Sequence, residues 1–418
     1  MAKKDLALVT LQSLVYLPLL VLLTKSTVAV LSVTVVCGLI YVRSLPEFKP
    51  FNAWTLLVAV GALSALWSIT PGQSIERAAK LGVFLILLAG LIHLVSRWND
   101  DDRRYIVDVG LKAWWVALAV AVTFLLFETD LKAAISAVVS EQQAVQIRHF
   151  WRPISNNAVV ILVMTAFQLF GRDLSTTRHK LYLALAVLGL LVAILQSGST
   201  SALFGLVAGL AVWGLYSRYS RAMVRVLTVG LPIAVLAMPV FIYPLANNPE
   251  PIVRSIPNFP NSFIHRLLIW DFTLERVAER PVLGWGLDTS RAIPGGTDLR
   301  PIHYVVPWSD KPITHPDQNL PLHPHNAVLQ IWLELGLIGV AAFMFALWKL
   351  LRTQLTAHRN SGPMAGFIVG AMAIYCVAYG LMQSWWIAFL FLGWAAAKAA
   401  QPTTVAEASP PLSRPIQA

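Results

Sequence analysis

The sequence predicts an all-α integral membrane protein with twelve transmembrane helices, and three observations lead to this prediction. The chain has 418 residues, of which 57% are hydrophobic and only 13% are charged, about half the charged share of soluble domains. Its apolar residues form runs of nearly 20 residues, which is about the length that a helix needs to cross a bilayer. Its basic residues collect in every second connection between these runs. This composition excludes an ordinary soluble protein and a disordered chain.

Twelve apolar runs are the candidate spans. The first is not a cleaved signal peptide, because it ends in Thr24-Lys25 without a small-residue cleavage site and a second span follows at once. The runs lie near 6–24, 27–42, 53–69, 81–96, 110–127, 154–170, 181–196, 201–216, 226–243, 327–348, 363–381 and 384–397.

The lysine and arginine residues predict the orientation. With both termini in the cytoplasm, eighteen basic residues fall in cytoplasmic segments, whereas the short loops on the other side hold only Lys25, Arg77 and Lys80. The net charge of +11 therefore reflects membrane orientation and does not indicate nucleic acid binding. We predict a single transmembrane domain over 1–400 and a disordered cytoplasmic tail over 401–418.

Two connections, near 128–153 and 244–326, are long and fall on the non-cytoplasmic side. The second holds thirteen of the 25 prolines, and loops of this length are usually functional. Its sequence predicts a helix from about Phe263 to Pro281 that lies at the membrane surface. An irregular, proline-rich flap is expected over 294–324.

The end of the long loop carries the strongest chemical signal, the stretch HPHNAVLQIWLELGLIG from His323 to Gly339. Pro324 interrupts the loop, so His325 and Asn326 are predicted at the membrane surface, at the N-terminus of the tenth span. The partial positive charge of a helix N-terminus disfavours imidazolium, and a neutral imidazole can act as a general base. The alternative is that His325 is an interfacial cap that bonds backbone or lipid headgroups.

Glycines follow the histidine at helical spacing. Gly336 comes eleven residues after His325, about three turns, so both are predicted on one helix face. With Gly339 this face would let a neighbouring helix approach. Glu334 lies within the span on the opposite face, where an acid is costly and is usually paired or functional. We expect it to form a structural hydrogen bond between helices.

This stretch resembles a known family pattern. His325-Asn326, nine residues, Gly336, two residues and Gly339 match H-[NSQ]-x9-G-x-x-[GTY] of the bacterial O-antigen ligase family, whose members are GT-C type membrane glycosyltransferases. Twelve spans with one large periplasmic loop before the motif are similar to the family's layout. Arg266, Trp270 and the Gly284-Trp285-Gly286 turn also resemble a family stretch. The histidine motif is shared with O-antigen polymerases, with protein O-oligosaccharyltransferases and with proteins once labelled as bicarbonate transporters.

The resemblance implies a metal-independent transferase of the bacterial inner membrane, with no cofactor and with its active site facing the periplasm. It would move O-antigen polysaccharide from undecaprenyl pyrophosphate to a sugar hydroxyl of lipid A–core. His325 would be the catalytic base of an inverting single displacement. Asn326, Trp270, Gly336 and Gly339 would support the site.

The leaving pyrophosphate calls for arginine, which is always charged and bonds two oxygens at once. The candidates are Arg152, Arg266 and Arg148. The entry to the sixth span, Ile147 to Asn157, resembles the family's arginine-containing entry, but Pro153 stands where a glycine is usual. The choice between Arg148 and Arg152 therefore stays open, with Arg152, which is nearer the span, as the first choice.

Simpler explanations exist for these arginines. Arg148 and Arg152 could bind lipid headgroups, and Arg266 could pair with Asp271 or Glu275 on its own helix. The other arginines of the loop are expected to be ordinary surface charges, and His323 is the reserve candidate for the base. The remaining loop arginines are Arg276, Arg280, Arg291 and Arg300.

Three other functions compete with a ligase. An O-antigen polymerase usually has two sizeable external loops, whereas one dominates here. A protein O-oligosaccharyltransferase tends to be longer, with a further C-terminal domain. A transporter needs a polar path across the bilayer, and the spans hold few ionisable residues besides Glu334 and Lys112.

Overall fold

The structure is a computed structural model that describes residues 23–46, 52–136, 156–167, 176–249, 261–304, 313–355 and 361–401, together with residues 17, 251 and 255. Its helices are α1 (Thr27–Val42), α2 (Ala53–Leu63), α3 (Pro71–Ser96), α4 (Asp100–Leu126), α5 (Glu128–Ser136), α6 (Asn156–Phe167), α7 (Thr177–Ser197), α8 (Thr200–Asn247), α9 (Asn261–Glu279), α10 (Ala327–Gln354), α11 (Gly362–Tyr375) and α12 (Ser384–Ala400). Two strands, β1 (Leu299–Tyr304) and β2 (Ile313–Gln318), form an antiparallel hairpin.

Most of the predicted spans coincide with apolar helices. Within the described residues, α3, α4, α7, α8 and α10 are long and apolar enough to cross a membrane. Shorter apolar helices (α1, α2 with the turn that follows it, α6, α11 and α12) occupy other predicted spans. The first predicted span, 6–24, and the tail after 401 lie almost entirely outside the described residues. These helices agree with a multi-pass, helical membrane protein.

Some helices begin earlier than their apolar runs. Helix α3 begins at Pro71 rather than near 81, and α4 begins at Asp100 rather than near 110. The Asn99 side chain caps α4 by accepting from the backbone N of Asp102 at 2.8 Å. Hydropathy identifies only the apolar part of such a helix, whereas a capped polar first turn extends it. The connection near 128–153 is also partly helical, since it contains α5.

The eighth and ninth predicted spans form one helix, α8, of 48 residues that is interrupted at Tyr219, where φ is −132° and ψ is 45°. The half before Tyr219 packs closely on α11, and a Cβ added to Gly209 would lie 2.9 Å from the carbonyl oxygen of Gly366. The half after Tyr219 packs on α10, where the indole of Trp332 donates to the Val235 carbonyl at 3.2 Å.

The two halves of α8 run in opposite directions. The start of α10 meets the residues just after α11, so α10 and α11 are antiparallel. Along α8, Gly205 approaches Gly370 before Gly209 approaches Gly366, so the first half is antiparallel to α11. The second half is antiparallel to α10. Trp332, early in α10, bonds Val235, whereas the earlier residues Thr228 and Val229 line a groove with residues that come later in α10, up to Trp348. The interruption at Tyr219 therefore acts as the turn between two spans.

Helix α9 of the long loop lies close to its predicted position. Its apolar side, including Leu267 and Phe272, is buried against Ile242 of α8 and Leu333 of α10. Other helices therefore cover the apolar face that was expected to lie on the membrane surface, and the position of this helix at that surface stays a prediction. Protein packing removes the same apolar area from water that a lipid surface would remove.

The β-hairpin corrects the prediction of an irregular flap over 294–324 for residues 299–304 and 313–318, whereas residues 305–312 lie outside the described part of the chain. Pro301 and Pro316 are directly opposite each other in the register. Neither residue can donate a backbone hydrogen bond, so the two occupy a non-hydrogen-bonded pair, which an antiparallel ladder contains at every second position. The prolines that argued against a strand are thus accommodated by the pairing.

The loop segment after α9 is fastened to the turn between α2 and α3. The backbone N of Leu287 donates to Ser64 Oγ at 2.9 Å, and Ser74 Oγ donates to the Leu287 carbonyl at 2.6 Å. Arg77 pairs with Asp288 at 2.7 Å. These contacts join the long loop to the connection between α2 and α3 at one end of the helices. The charge pattern predicts that both connections lie on the same side of the membrane.

Candidate functional site

His325 has a strained backbone that its neighbours hold in place. Its φ of 53° is left-handed, which costs a non-glycine residue about 1–2 kcal/mol. The backbone N of His325 donates to His323 Nδ1 at 3.0 Å. The buried indole of Trp270 on α9 donates to the Pro324 carbonyl at 2.8 Å. Trp270 therefore positions the backbone that leads into His325.

The imidazole of His325 has a defined tautomer. Nδ1 lies 2.9 Å from the carbonyl oxygen of Ala378. A carbonyl can only accept, so Nδ1 carries the proton and Nε2 keeps its lone pair. Nε2 is therefore the nitrogen that can take up a proton.

The surroundings of His325 favour its neutral form. Burial is the main cause that lowers the pKa of His325 below 6.5, while the bond to the Ala378 carbonyl acts in the opposite direction. The positive charge of Arg266 and the neighbouring His265 lower this pKa further. The imidazole is thus neutral at pH 7. Burial is the main cause, and the partial positive charge of the helix N-terminus acts in the same direction.

His323 braces His325 and has no nitrogen left for catalysis. Its Nδ1 accepts from the backbone of His325, so Nε2 carries the proton. Nε2 lies 3.3 Å from Gln383 Nε2. Two N–H donors cannot bond each other, and Gln383 Oε1 has no partner among the described residues, so the amide is assigned with its oxygen turned toward this proton. Burial lowers the pKa of His323 to about 3. The reserve candidate for the base is therefore a neutral structural residue.

Arg266 places a positive charge beside this histidine. Burial lowers its pKa, but a guanidinium stays protonated in proteins. The expected alternative partner Asp271 pairs with Arg300 at 3.3 Å instead, and Glu275 is exposed. Within the described part of the chain, no carboxylate pairs with Arg266. Its charge is therefore open to an anionic ligand.

The start of α6 lies close to Arg266 and to the segment after α11. Arg266 lies within electrostatic range of Tyr379, whose hydroxyl donates to Asn157 Oδ1 at 2.8 Å. Arg148 and Arg152 lie outside the described residues. Asn157 comes five residues after Arg152 in the sequence, and the described start of α6 lies next to the site through this bond to Tyr379.

Asn326 begins helix α10. Its Oδ1 accepts from the backbone N atoms of Val328 at 3.0 Å and Leu329 at 3.1 Å, as an N-cap residue does. The side chain is fully buried. Its Nδ2 has no hydrogen-bond partner among the described residues. Asn326 therefore fixes the direction of α10 immediately after the histidine.

Gly336 breaks α10, which corrects the prediction of a continuous helix face shared with His325. Its φ of 57° and ψ of −158° are not helical. The loop after α9, rather than a neighbouring helix, fills the gap, because Trp285 N donates to the Leu333 carbonyl at 3.0 Å and Leu337 N to the Pro281 carbonyl at 2.9 Å.

Two glycines permit this backbone contact. A Cβ on Gly336 would lie 2.5 Å from the backbone of Val282, and a Cβ on Gly284 would lie 2.5 Å from the backbone of Glu334. A Cβ on Gly339, one turn further, would lie 2.1 Å from the Leu335 side chain. The glycines of the motif therefore serve the break in the helix and the loop that enters it.

The other loop arginines are mostly paired. Arg276 pairs with Glu279, Arg300 pairs with Asp271, and Arg280 stacks on the ring of Trp285 at 4.1 Å. Arg291 differs, because it is exposed and its charge contributes to the lowered pKa of His323. It was expected to be an ordinary loop charge, and the fold brings it to the edge of the site.

Sequence reasoning missed the segment between α11 and α12. Helix α11 ends at Tyr375, although the apolar run extends to 381. Ala378 orients the imidazole of His325, and a Cβ on Gly380 would lie 2.9 Å from the ring of His323. The available signal was Gly380, followed shortly by Gln383 and Ser384, in an otherwise apolar sequence.

Within the described residues, no group of three or more His, Cys, Asp or Glu side chains is arranged to hold a metal ion. The site is built instead from imidazole, guanidinium and hydroxyl groups.

Comparisons with known proteins agree with the motif. The family model described as O-antigen ligase matches residues 184–344, which include Arg266, Trp270 and His325 but not the segment around Ala378. Three rickettsial relatives each carry the description "Putative polysaccharide ligase". The protein of Rickettsia conorii is 30% identical over 213 residues, covering 50% of this chain and 48% of the relative.

The other two relatives are from Rickettsia prowazekii and Rickettsia felis. The first is 30% identical over 165 residues, covering 39% of this chain and 38% of the relative. The second is 28% identical over 212 residues, covering 50% and 49%. The chain thus spans about half the length, or less, of each relative. The family match and these relatives confirm that the chain resembles an O-antigen ligase-like family.

Proposed function

We propose that this protein is an O-antigen ligase, which transfers a polysaccharide from undecaprenyl pyrophosphate to a sugar hydroxyl of lipid A–core. The observation that carries the proposal is the bond between His325 Nδ1 and the Ala378 carbonyl. This bond leaves Nε2 as a neutral base near the charge of Arg266, which has no carboxylate partner among the described residues. The family match, which includes His325 and Arg266 but not Ala378, supports glycan transfer as the reaction.

The proposed reaction is a single displacement. His325 Nε2 takes the proton of the acceptor hydroxyl, whose oxygen attacks the anomeric carbon of the donor sugar. The bond from this carbon to the pyrophosphate oxygen breaks, and the configuration inverts. General base catalysis of this kind contributes about 10²–10⁴-fold to the rate.

Positive charge stabilises the leaving group. Arg266 has no carboxylate partner among the described residues, so its full charge is available to a pyrophosphate oxygen. Arg152 and Arg148 complete the anion site in this proposal, since Asn157 links the start of α6 to Tyr379 and Arg266. Preorganised cations of this type stabilise developing charge without reorganisation during the reaction.

The lipid tail of the donor would lie in an apolar groove between α8 and α10. This groove has a volume of about 660 Å³ and includes Pro232, Leu337 and Phe345 in its lining. Its lining is almost entirely apolar, as a polyprenyl chain requires. The acceptor would come from the periplasmic side, beneath the long loop.

The test is deletion of the gene followed by gel analysis of lipopolysaccharide. A ligase predicts loss of the long-chain ladder, an intact core and accumulation of the lipid-linked polymer. If one repeat unit remains attached to the core, the protein is an O-antigen polymerase. An unchanged ladder with loss of glycans from proteins would instead indicate a protein O-oligosaccharyltransferase, and an unchanged ladder with altered solute uptake a transporter.

A further inference from the structure

Glu334 accepts hydrogen bonds from the long loop and from its own helix. Its carboxylate accepts from the backbone N of Asp288 at 2.7 Å, from Ser290 Oγ at 2.6 Å and from Gln330 Nε2 at 2.8 Å. Only 1% of this residue is exposed. We expected Glu334 to bond a neighbouring membrane helix, but none of these three donors belongs to one. The acid instead fastens the loop segment 288–290 to α10.

Gln330 extends this network toward the histidines. Its Nε2 donates to Glu334, and its Oε1 accepts from the backbone N of Leu381 at 2.8 Å. Both ends of the amide are therefore used. Gln330 connects the carboxylate to the segment between α11 and α12.

That segment contacts both histidines. Ala378 accepts from Nδ1 of His325, and Gly380 lies against the ring of His323 and the Oε1 atom of Gln330. Leu381 lies only three residues after Ala378 in this short segment, so a displacement of Leu381 would also shift Ala378. The carbonyl that fixes the tautomer of His325 thus depends on the hydrogen bond from Leu381 to Gln330.

We propose that Glu334 and Gln330 are positioning residues, which hold the Ala378 carbonyl against His325 and connect this contact to the seating of loop residues 288–290. The inference rests on the proposed function, because it assigns these residues to the geometry of the same base. Neither side chain needs to touch a substrate. Their effect reaches the reaction through the orientation and tautomer of the imidazole.

The test compares two identical substitutions on one helix. Gln330→Met keeps a similar side-chain volume and removes both hydrogen bonds of the amide. Gln354→Met is the matched control, because Gln354 accepts from the indole of Trp394 at 3.0 Å near the other end of α10. Purified full-length protein is assayed with lipid-linked polysaccharide and lipid A–core, beside wild type and His325→Ala.

The expected results separate positioning from stability. Gln330→Met should lower kcat about 100-fold, the effect of misplacing a catalytic group by about 1 Å, with the KM for the donor unchanged. The acid limb of its pH profile should move to lower pH, because the Ala378 carbonyl supports the protonated imidazole. Gln354→Met should retain the wild-type rate and pH profile.

Equal kcat values and pH profiles in the two methionine variants would overturn the positioning role. If Gln330→Met does not fold, Ser290→Ala replaces it. That variant removes one donor to Glu334, and we expect a several-fold loss of kcat together with the same shift of the acid limb. A wild-type rate and profile in Ser290→Ala would then overturn the role.

Failure of the proposed function has a different signature. The proposed function is refuted if the wild-type protein transfers no glycan, or if the His325→Ala variant transfers glycan at the wild-type rate. If wild type is active and His325→Ala is inactive, the ligase proposal stands, and the methionine pair decides the positioning role alone.

Discussion

Helix α10 has two parts that differ in what surrounds them. Before Gly336, Gln330 and Glu334 form hydrogen bonds with the loop and with the segment after α11. After Gly336, residues such as Leu337 and Phe345 line an apolar groove. Hydropathy treats both parts as one span. The break at a single glycine divides them into a polar, hydrogen-bonded part near the histidines and an apolar part.

This difference has a physical consequence. Hydrogen bonds require donor and acceptor at defined distances and angles, so the first part tolerates little displacement. Apolar packing is non-directional, so the second part depends mainly on volume. We therefore expect substitutions before and at the break to be costly, and substitutions after it to be mild.

The largest expected effect is that of Gly336→Ala. The new Cβ would lie 2.5 Å from the Val282 backbone, and the backbone conformation of Gly336 is one that only glycine adopts readily, with a cost of about 3 kcal/mol for other residues. We expect little folded protein by size-exclusion chromatography in detergent. Gly230→Ala is the control, because nothing lies within 4 Å of its added Cβ. Equal yields of the two variants would contradict the proposed role of the break.

Arg266→Lys should have the next largest effect. Lysine keeps the charge but loses the planar fork that bonds two phosphate oxygens. The loss of one charge-assisted bond, about 1.5 kcal/mol, corresponds to about a tenfold decrease in kcat/KM for the donor. Arg300→Lys serves as the control, since Arg300 pairs with Asp271. Similar decreases in both variants would argue against a phosphate contact specific to Arg266.

The pH profile should report the charge of Arg266. Wild-type kcat/KM should fall with decreasing pH only below the ordinary histidine range, because the pKa of His325 is lowered. Arg266→Gln removes a positive charge that disfavours imidazolium. The pKa of His325 should therefore rise, and the acid limb should move to higher pH, whatever the absolute rate of the variant. A limb that stays in place or moves to lower pH would show that this charge does not act on the base.

The smallest effect is expected in the apolar part. Met344→Leu conserves volume in the lining of the groove, and swaps of this kind usually cost less than about 1.5 kcal/mol. Transfer rates from initial-velocity assays should stay within about twofold of wild type. A tenfold loss would mean that the second part of α10 is as sensitive to shape as the first.

Much of the fold could be predicted from the apolar runs and the caps. Most predicted spans coincide with helices, and the helix after Asn261 lies near its predicted position. The break at Gly336 could not be predicted, because a glycine within an apolar run is compatible with a continuous helix. The hairpin was missed because its prolines argue against strands and only the pairing of Pro301 with Pro316 accommodates them.

The candidate site residues could be predicted where their side chains belong to a recognisable sequence motif. The sequence pointed to His325, Trp270 and Arg266, and the structure places all three at one end of the helices. The contact of His325 with Ala378 could not be predicted, because it is a backbone contact between residues 53 positions apart. Any residue could supply that carbonyl, so no side chain marks it.

The most direct test of the account is the transfer rate of His325→Asn in a single-turnover assay with saturating lipid-linked donor. Asparagine tolerates the left-handed backbone of this position, so a loss of rate would report the missing base rather than strain. We predict a rate about 10³-fold below wild type with donor binding retained. A rate within tenfold of wild type would contradict the assignment of His325 as the general base.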